Sequence, residues 1–454
     1  MRSFGFLAAL LGTAAAAPFM NMGNTIQSNT VKRSANAPRN KFTQVSSGSN
    51  KVVVDEKNLI NGKYHGDSFS VDGSKSKNTA SDPLNLQLVN NIGGDVLNCY
   101  ITGTDQDKRV FFLGADGQLI YPSSGGSSEP VPIEDTLAIP MPALGDSLDI
   151  AVPVAFESGR IYFSQGEIEF FMVQKDGGEE GLVQPNNENE DDPSRNINWG
   201  FVELSMTPEG IVWANISYVD FVGLIMSMTL NTKNNGTQEV IGLAADAVPK
   251  VCDQLKKQGD IDGRPWGKLC VVGENGEPLR VNSPDLAGFE DYFDEYIEEI
   301  WAKYSSEDLT INTQNGDIGD VKCRVEGDEF KCDGDSRPYP KPTAIDVWGC
   351  NSGPFTVQEG DNAVHGAVVP RLCAAFNRGT LGIDGGNKQP GPEADKYYTS
   401  DPNNHYSRII HDNEVDGKGY AFAYDDVNPD GSEDAAGLVN GEPNVLIFYA
   451  GGKK

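Results

Sequence analysis

The chain has 454 residues, more than the roughly 300 over which one hydrophobic core usually grows, so we expect one large domain with insertions or two lobes. It is 38% hydrophobic with 51 glycines and 26 prolines, a turn-rich composition that argues against a helical bundle and favours a mainly β fold of many short strands. The formal net charge of −30 at pH 7 repels nucleic acid and anionic membrane surfaces, whereas a neutral polysaccharide meets no such repulsion.

The first 16 residues have the pattern of a secretory signal peptide. Arg2 precedes an apolar run from Phe4 to Leu11, and small residues from Ala14 to Ala16 provide a cleavage site. No later run approaches the about 20 apolar residues that a membrane-spanning helix needs. We therefore expect a secreted protein, located outside the cell or in a cell wall.

Two further segments precede the region that we expect to fold. Lys32-Arg33 resembles a dibasic processing site of fungal secretory proteases, which would make residues 17–33 a propeptide. The alternative interpretation of this pair is two solvated charges. Residues 34–80 are rich in Ser, Asn, Lys and Gly with little periodic hydrophobicity, the composition of a flexible arm with little fixed structure.

From residue 81 onward, apolar runs alternate with turn residues at the spacing of β-hairpins. The early runs are Leu84 to Val89, Val110 to Leu113, Leu119 to Tyr121, Ile150 to Val152, Arg160 to Phe163 and Ile168 to Val173. A strand pair, Trp199 to Met206 and Ile211 to Phe221, is joined by a turn that contains Pro208 and Gly210. The chain ends with predicted strands at Tyr420 to Tyr424 and Asn444 to Tyr449, the last of which we expect at a sheet edge near the start of the domain.

Near residue 245 the apolar spacing changes from two to 3.6 residues, which predicts helices. The first helix is expected from Val248 to Lys257. The second helix has its large apolar residues on one face. We interpret this stripe as packing against the β lobe rather than as a platform for sugars. The stripe consists of Phe289, Tyr292, Phe293, Tyr296, Ile297, Ile300, Trp301 and Tyr304. These helices define an inserted helical or mixed lobe at 240–310, within a β-rich lobe made of 81–240 and 311–454.

Seven cysteines in a chain bound for an oxidising compartment predict disulfides. Six of them lie between residues 252 and 373, and sequence proximity favours three pairs, which leaves Cys99 as a buried thiol. The expected pairs are Cys252 with Cys270, Cys323 with Cys332, and Cys350 with Cys373.

Neither a catalytic metal nor another cofactor is expected. The four histidines form no His-Glu-x-x-His pattern, and the cysteines have no zinc-type Cys-x-x-Cys spacing. The acidic segment from His411 to Asp426 resembles a calcium loop, but it lacks the ligand pattern of the EF-hand. We interpret it as a turn that uses Asp and Asn for local hydrogen bonds.

Two acids lie inside apolar strand segments, where a buried charge is costly unless it is paired or used. Alternation along the first strand of the pair places Trp199, Phe201, Glu203 and Ser205 on one face, and aromatic neighbours raise the proton affinity of a carboxyl. Asp220 has apolar neighbours on both sides. Each acid could instead be structural, bonded to backbone amides or paired with Arg160 or Arg195.

A pair of acids, one protonated and one ionised, is what the hydrolysis of a glycosidic bond requires. In a straight hairpin centred on Pro208 and Glu209, Glu203 would oppose Ala214, and Asp220 would lie about 20 Å beyond it. A productive pair needs about 5 to 9.5 Å between the two carboxyls. The chain must therefore bend between Asn215 and Asp220 if these two acids act together.

Taken together, several segments resemble glycoside hydrolase family 64, the thaumatin-like β-1,3-glucanases of the laminaripentaose-producing type, in a fungal member. They run in the order of the family over residues 84–450. The matching segments are Gly159 to Ser164, Asn198 to Glu203, Asn215 to Leu224, Asp262 to Trp266, Arg280 to Pro284, Cys373 to Thr380, and His411 to Asp426.

The resemblance implies a thaumatin-like β-sandwich or barrel lobe and a mixed α/β lobe, with a wide cleft between them for a β-1,3-glucan strand. It implies an inverting endo-type hydrolase, acting as a monomer without nucleic acid or membrane partners, in which Glu203 is the general acid and Asp220 the general base. Stacking on sugar faces or bonding to sugar hydroxyls is expected of five residues, namely Trp199, Ser205, Trp213, Asn215 and Ser217.

Two alternatives remain open. A thaumatin-like scaffold could hold glucan in its groove without cutting it, as an antifungal or effector protein. A retaining glycanase of another specificity is the second alternative. The presence of both Glu203 and Asp220 argues against a degenerate site.

Overall fold

The computed structural model describes residues 82–453 except 94–95, 175–177, 179, 285–287 and 433–435, and also three short strands at 44–47, 50–53 and 59–60. The predicted signal peptide and both predicted cleavage sites lie outside the described residues. In the described part of the chain, helices are too short or too polar to cross a lipid bilayer.

Short strands dominate the described residues, as the composition predicts. In chain order, β1 to β27 are Gln44–Ser47, Asn50–Val53, Leu59–Ile60, Leu84–Asn90, Leu97–Asp105, Val110–Leu113, Leu119–Ile120, Val131–Pro132, Ile139–Pro140, Ser147–Val152, Phe156–Gln165, Phe171–Gln174, Glu180–Val183, Asn198–Met206, Val212–Asn215, Phe221–Val222, Met226–Thr232, Thr237–Val240, Cys270–Val272, Pro278–Asn282, Leu309–Asn312, Asp320–Glu326, Glu329–Cys332, Tyr339–Pro340, Lys388–Gln389, Val439–Gly441 and Pro443–Ala450. The first three lie within the segment that we expected to be an arm with little fixed structure, and β3 pairs with β13.

Among the residues that the structure describes, the helices lie between residues 247 and 413. In chain order, α1 to α5 are Ala247–Asp262, Asp294–Ser306, Ala344–Gly349, Ala363–Asn377 and His405–Asn413, and single 3₁₀ turns span Trp266–Leu269, Gly353–Phe355 and Ala394–Lys396. Three of the five helices therefore follow residue 310, where the sequence suggested a return to strands.

Two large sheets pack face to face around the main core. One has five strands in the order β10-β4-β27-β17-β18, and the other has the order β26-β15-β14-β11-β5-β6-β7 with β9 paired to β5. Leu86 and Phe448 of the first sheet and Ile161 and Val202 of the second belong to the same buried cluster. Each such side chain contributes about 1.5 to 3 kcal/mol on burial. The mainly β prediction is confirmed, as an open sandwich rather than a closed barrel within the described residues.

The second sheet also has an aromatic face, opposite the main core. Because side chains alternate along a strand, Val202 and Leu204 of β14 point into the main core while Trp199 and Phe201 point the other way. Tyr162 of β11 joins them on that opposite face. The predicted alternation along β14 is therefore confirmed, and it places Glu203 at the end of an aromatic row.

The helices pack around two smaller sheets, with orders β24-β23-β22-β21-β25 and β16-β20-β19. The aromatic stripe of α2 is buried in the core, which confirms packing rather than a sugar platform. The helix begins later than expected, at Asp294, and Phe289, Tyr292 and Phe293 precede it. The three disulfides are those expected, Cys252 with Cys270, Cys323 with Cys332 and Cys350 with Cys373, and Cys99 is a buried free thiol.

Two of the late strand predictions need correction. Tyr420 to Tyr424 is not a strand: only Tyr420 makes a β-bridge, and the residues after it form a turn. The last strand, β27, lies near the start of the domain as expected, because it pairs with β4, but it also pairs with β17 and so lies inside the sheet rather than at its edge.

We predict that Gly223→Ala destabilises the protein. A Cβ at this position would lie 2.2 Å from the carbonyl oxygen of Trp199 and 2.8 Å from the ring of Phe221, so the segment would have to move away from β14. Overpacking of this kind costs about 1 to 3 kcal/mol, which urea unfolding would measure.

The matched control for that change is Gly366→Ala. Gly366 lies within α4, and a Cβ there would meet no atom within 4 Å, so alanine should stabilise the helix by about 0.5 to 1 kcal/mol. Equal effects of the two substitutions would contradict the close approach at Gly223.

Candidate active site

Glu203 lies in a row of side chains that runs across three strands. Its neighbour on β11 is Arg160, and its neighbour on β15 is Asn215. An oxygen of the Glu203 carboxylate, Oε1, lies 3.1 Å from Nη2 of Arg160. The side chain of Glu203 is 15% exposed, so it is paired but not fully enclosed.

The guanidinium of Arg160 is held in a fixed orientation. It lies over the ring of Phe201, 4.2 Å from the ring centroid, and its Nη1 donates a hydrogen bond of 2.9 Å to Oε1 of Gln184. The hydroxyl of Tyr162 donates to the same amide oxygen. Since Arg160 is only 7% exposed, its charge acts on Glu203 with little screening by water.

The chain bends directly after Asn215, within the segment where a bend is needed to bring Glu203 and Asp220 together. Glu203 pairs with Asn215 rather than with Ala214, because the turn is one residue longer than we assumed. Asn215 is the last residue of β15, and the chain then leaves the large sheet. Ser217 makes a parallel bridge with Tyr420, and β16 pairs with β20 of a different sheet.

The same segment then returns to the beginning of β14. The amide of Leu224 donates a hydrogen bond of 3.0 Å to the carbonyl of Trp199. The ring of Phe221 packs against those of Trp199 and Phe201, at centroid distances of 4.6 and 5.8 Å. Asp220, directly before Phe221, is therefore brought to the aromatic face that carries Glu203.

Contacts to the backbone fix the position of Asp220. Its carbonyl accepts hydrogen bonds from the amide of Ser283 at 2.9 Å and from Nδ2 of Asn187 at 3.4 Å. Two residues earlier, the carbonyl of Tyr218 accepts a hydrogen bond of 2.6 Å from the hydroxyl of Tyr406. Asp220 itself is half-buried.

The two acids and Arg160 form one electrostatic unit. Burial raises the pKa of Glu203, the charge of Asp220 raises it further, and Arg160 and Asn215 lower it, with a net rise. Burial alone would lower the pKa of Arg160, but Tyr162 and the carboxylates of Glu203 and Asp220 raise it. A carboxyl with a raised pKa beside a second acid is the arrangement that general acid–base chemistry uses.

The five expected substrate contacts lie on β14, on β15 and in the segment before Asp220, but they differ in exposure. Trp199 is 2% exposed and packed between Tyr162, Phe221 and Arg280, which leaves no free ring face for a sugar. Asn215, Ser205 and Ser217 are buried at 2, 7 and 8% exposure. Trp213 is half-buried and is the cross-strand neighbour of Ser205.

Sequence reasoning treated Arg160 only as a possible structural partner. The signal that identifies it is the one used for the acids, a charged residue inside an apolar strand segment, here beside Ile161 and Tyr162. Gln184 and Tyr406 gave no comparable signal, because neutral polar residues and tyrosines are common throughout folded chains.

We predict that Arg160→Met raises the pKa of Glu203 by about one unit or more, because removal of a neighbouring cation disfavours the ionised carboxylate. An NMR titration of the Glu203 carboxyl carbon would measure the change. Arg109→Met is the control, since Arg109 pairs at 2.6 Å with a different buried acid of the same sheet, Asp105. An unchanged or lower pKa of Glu203 in Arg160→Met would contradict the pairing.

Comparison with known proteins assigns the chain to a family. The model of glycoside hydrolase family 64, described as β-1,3-glucanase, matches residues 82–450. A glucan endo-1,3-β-glucosidase from Cellulosimicrobium cellulans is 29% identical over 358 residues, and one from Arthrobacter sp. is 28% identical over 352 residues. Each alignment covers 75% of this chain, which spans 61% of the length of these relatives.

Solved structures agree with this assignment. A laminaripentaose-producing β-1,3-glucanase in complex with laminaritetraose has a TM-score of 0.69 and 30% identity, with 81% of this chain and 98% of that chain covered. A β-1,3-glucanase domain from Clostridium beijerinckii has the same fold, with a TM-score of 0.63 and 21% identity over 82% of this chain and 99% of that domain. The chain therefore belongs to glycoside hydrolase family 64, the β-1,3-glucanases.

Proposed function

We propose that this protein is a secreted, inverting, endo-type hydrolase of β-1,3-glucan, in which Glu203 is the general acid and Asp220 the general base. The observation that carries the proposal is the shared electrostatic site of these two acids and Arg160 on the aromatic face of β14. The activity named for the relatives and the laminaritetraose bound to a solved family member support β-1,3-glucan as the substrate.

The proposed reaction transfers one proton from Glu203 to the substrate and one proton from water to Asp220. Glu203 gives its proton to the glycosidic oxygen as the bond from that oxygen to the anomeric carbon breaks. Asp220 accepts a proton from a water molecule, whose oxygen forms the new bond to the anomeric carbon on the opposite face of the sugar. Solvent then restores the proton of Glu203 and removes that of Asp220.

Arg160 suits this exchange because its charge lies beside both acids. As Glu203 loses its proton, the guanidinium 3.1 Å away stabilises the new carboxylate. Asp220 becomes neutral in the same step, so the net charge of the site does not change. A fixed cation can thus serve both halves of the reaction without moving.

The substrate contacts are proposed from exposure and position. Trp213, the most exposed of the expected residues, lies one cross-strand pair from Glu203 and offers an aromatic surface for sugar stacking. Ser205, Asn215 and Ser217 offer polar groups beside it. For Trp199 we propose a different role from the one expected, which is to support Phe201 and Phe221 from behind.

We also propose a location outside the cell and a fungal origin. Three disulfides among the described residues suit an oxidising compartment outside the cell. The apolar N-terminal run and Lys32-Arg33 support export and processing in a fungal secretory pathway. We propose a monomer with a thaumatin-like β lobe, which acts on glucan outside the cell or in a cell wall.

We predict that Glu203→Gln and Asp220→Asn each lower turnover on linear β-1,3-glucan by at least about 100-fold, because each change removes one of the two proton transfers. Both variants should still fold and bind glucan, since the amides keep the size of the acids. Release of reducing ends measures turnover, and a chromatogram of the products gives their length.

Glu209→Gln is the control, because Glu209 lies exposed in the turn that joins β14 and β15. It should retain normal turnover. If the unmodified protein binds glucan but releases no reducing ends, it is a glucan-binding protein, and the proposed function is wrong. If either site variant keeps near-normal turnover, that residue does not have the proposed role.

A further inference from the structure

The segment that carries Asp220 lies between two strands and belongs to neither. β15 ends at Asn215, and β16 begins at Phe221. Besides Ser283, this segment has Tyr420 as a main-chain partner: the amide of Tyr218 donates to the carbonyl of Tyr420 at 2.7 Å, and the amide of Tyr420 donates to the carbonyl of Ile216 at 3.2 Å. The position of Asp220 therefore depends on the loop around Tyr420 as well as on Ser283 and Asn187.

That loop is held in turn by Asp425. Its Oδ2 accepts hydrogen bonds from the amide of Ala421 at 3.0 Å and from Nε2 of His411 at 2.9 Å. Its Oδ1 lies 3.1 Å from Nη2 of Arg378. The other ring nitrogen of His411, Nδ1, lies 2.9 Å from Oε2 of Glu414. One imidazole thus joins two carboxylates that are 1% and 0% exposed.

Helix α5 also contacts both segments directly. The hydroxyl of Tyr406 donates to the carbonyl of Tyr218, and the hydroxyl of Ser407 donates to the carbonyl of Ala421 at 3.1 Å. Together with His411, three side chains of one short helix fix the loop around Tyr420 and the segment of Asp220 relative to each other.

The imidazole acts as a cation at neutral pH. Burial alone would lower the pKa of His411, but Asp425 and Glu414 raise it to about 10. Arg378 on α4 faces Asp425 from the other side, and the ring of Tyr398 lies 6.1 Å from that of His411. A neutral replacement would remove the imidazolium from both Glu414 and Asp425 and would leave Asp425 paired with Arg378 alone, and the loss of one partner of a buried charge pair destabilises the structure around it.

We propose that His411 is a positioning residue for the base of the reaction: through Asp425 and the backbone of Tyr420 it holds Asp220 at the distance from the sugar that water attack requires. This inference rests on the proposed function. A displacement of about 1 Å in a reacting group can lower the rate by about 100-fold without loss of substrate binding.

The experiment compares His411→Gln with His365→Gln. His365 is also a buried histidine paired with an acid, with Nδ1 2.8 Å from Oδ1 of Asp335. It lies in α4, however, and its ring stacks on Tyr339 in β24, which belongs to a different sheet. Both variants should lose stability. Only His411→Gln should lose kcat, by about 100-fold, with KM within about threefold of normal.

A double substitution separates positioning from general damage. In an Asp220→Asn background there is no base left to misplace, so His411→Gln should lower the residual kcat by less than about threefold. If His411→Gln does not fold, Asp425→Asn tests the same route, because it removes the charge that pairs with His411 and keeps the size of the side chain. We expect this variant to lower kcat about 10-fold, and we expect no such loss when the change is made in Asp220→Asn.

The outcomes distinguish this inference from the proposed function. Normal turnover in Asp220→Asn would overturn the role of Asp220 itself. If Asp220→Asn is inactive but His411→Gln behaves like His365→Gln, or if the losses in the double variant multiply, the positioning role is wrong while the proposed function stands.

Discussion

The crossing of the segment from Asp220 to Leu224 over the start of β14 is the constraint on which the site depends. It is closed by the hydrogen bond from the amide of Leu224 to the carbonyl of Trp199, and it is possible because Gly223 has no side chain at a point where a Cβ would lie 2.2 Å from that carbonyl oxygen. Without this crossing, Asp220 would continue away from Glu203 along the hairpin. With it, both acids act on the same arginine.

Burial and charge at this site work in opposite directions. The aromatic face of β14 excludes water, which favours the neutral form of Glu203, whereas Arg160 favours its ionised form. The balance leaves the pKa of Glu203 raised but the group still ionisable, because the cation that would receive the new carboxylate is already in contact with it. A carboxyl buried to the same extent with no cation nearby would hold its proton too strongly to act as an acid.

Local patterns in the sequence predicted the parts of the fold that local physics decides. Period-two alternation placed Trp199, Phe201 and Glu203 on one face, and short sequence separations gave the three disulfides. The need for a bend after Asn215 was also deduced, since a straight hairpin cannot bring the acids together.

What the bend consists of could not be deduced, because its partners are distant in sequence. Tyr420 and Tyr406 lie about 190 to 200 residues beyond the segment that they hold, and no local periodicity identifies such pairs. The same limit explains the wrong strand at Tyr420 to Tyr424. Its alternating aromatic residues fit a strand, but Asp425 closes a turn there, because its carboxylate accepts a hydrogen bond from the amide of Ala421.

The most direct test of the central claim is the configuration of the first product. If Glu203 and Asp220 act on opposite sides of the sugar with one water between base and substrate, proton NMR during hydrolysis of β-1,3-glucan should detect the α-anomer first, followed by slow conversion to the β-anomer. A first product in the β-configuration would show that a carboxylate attacks the sugar directly. It would contradict the account of Asp220 as a base that acts through water.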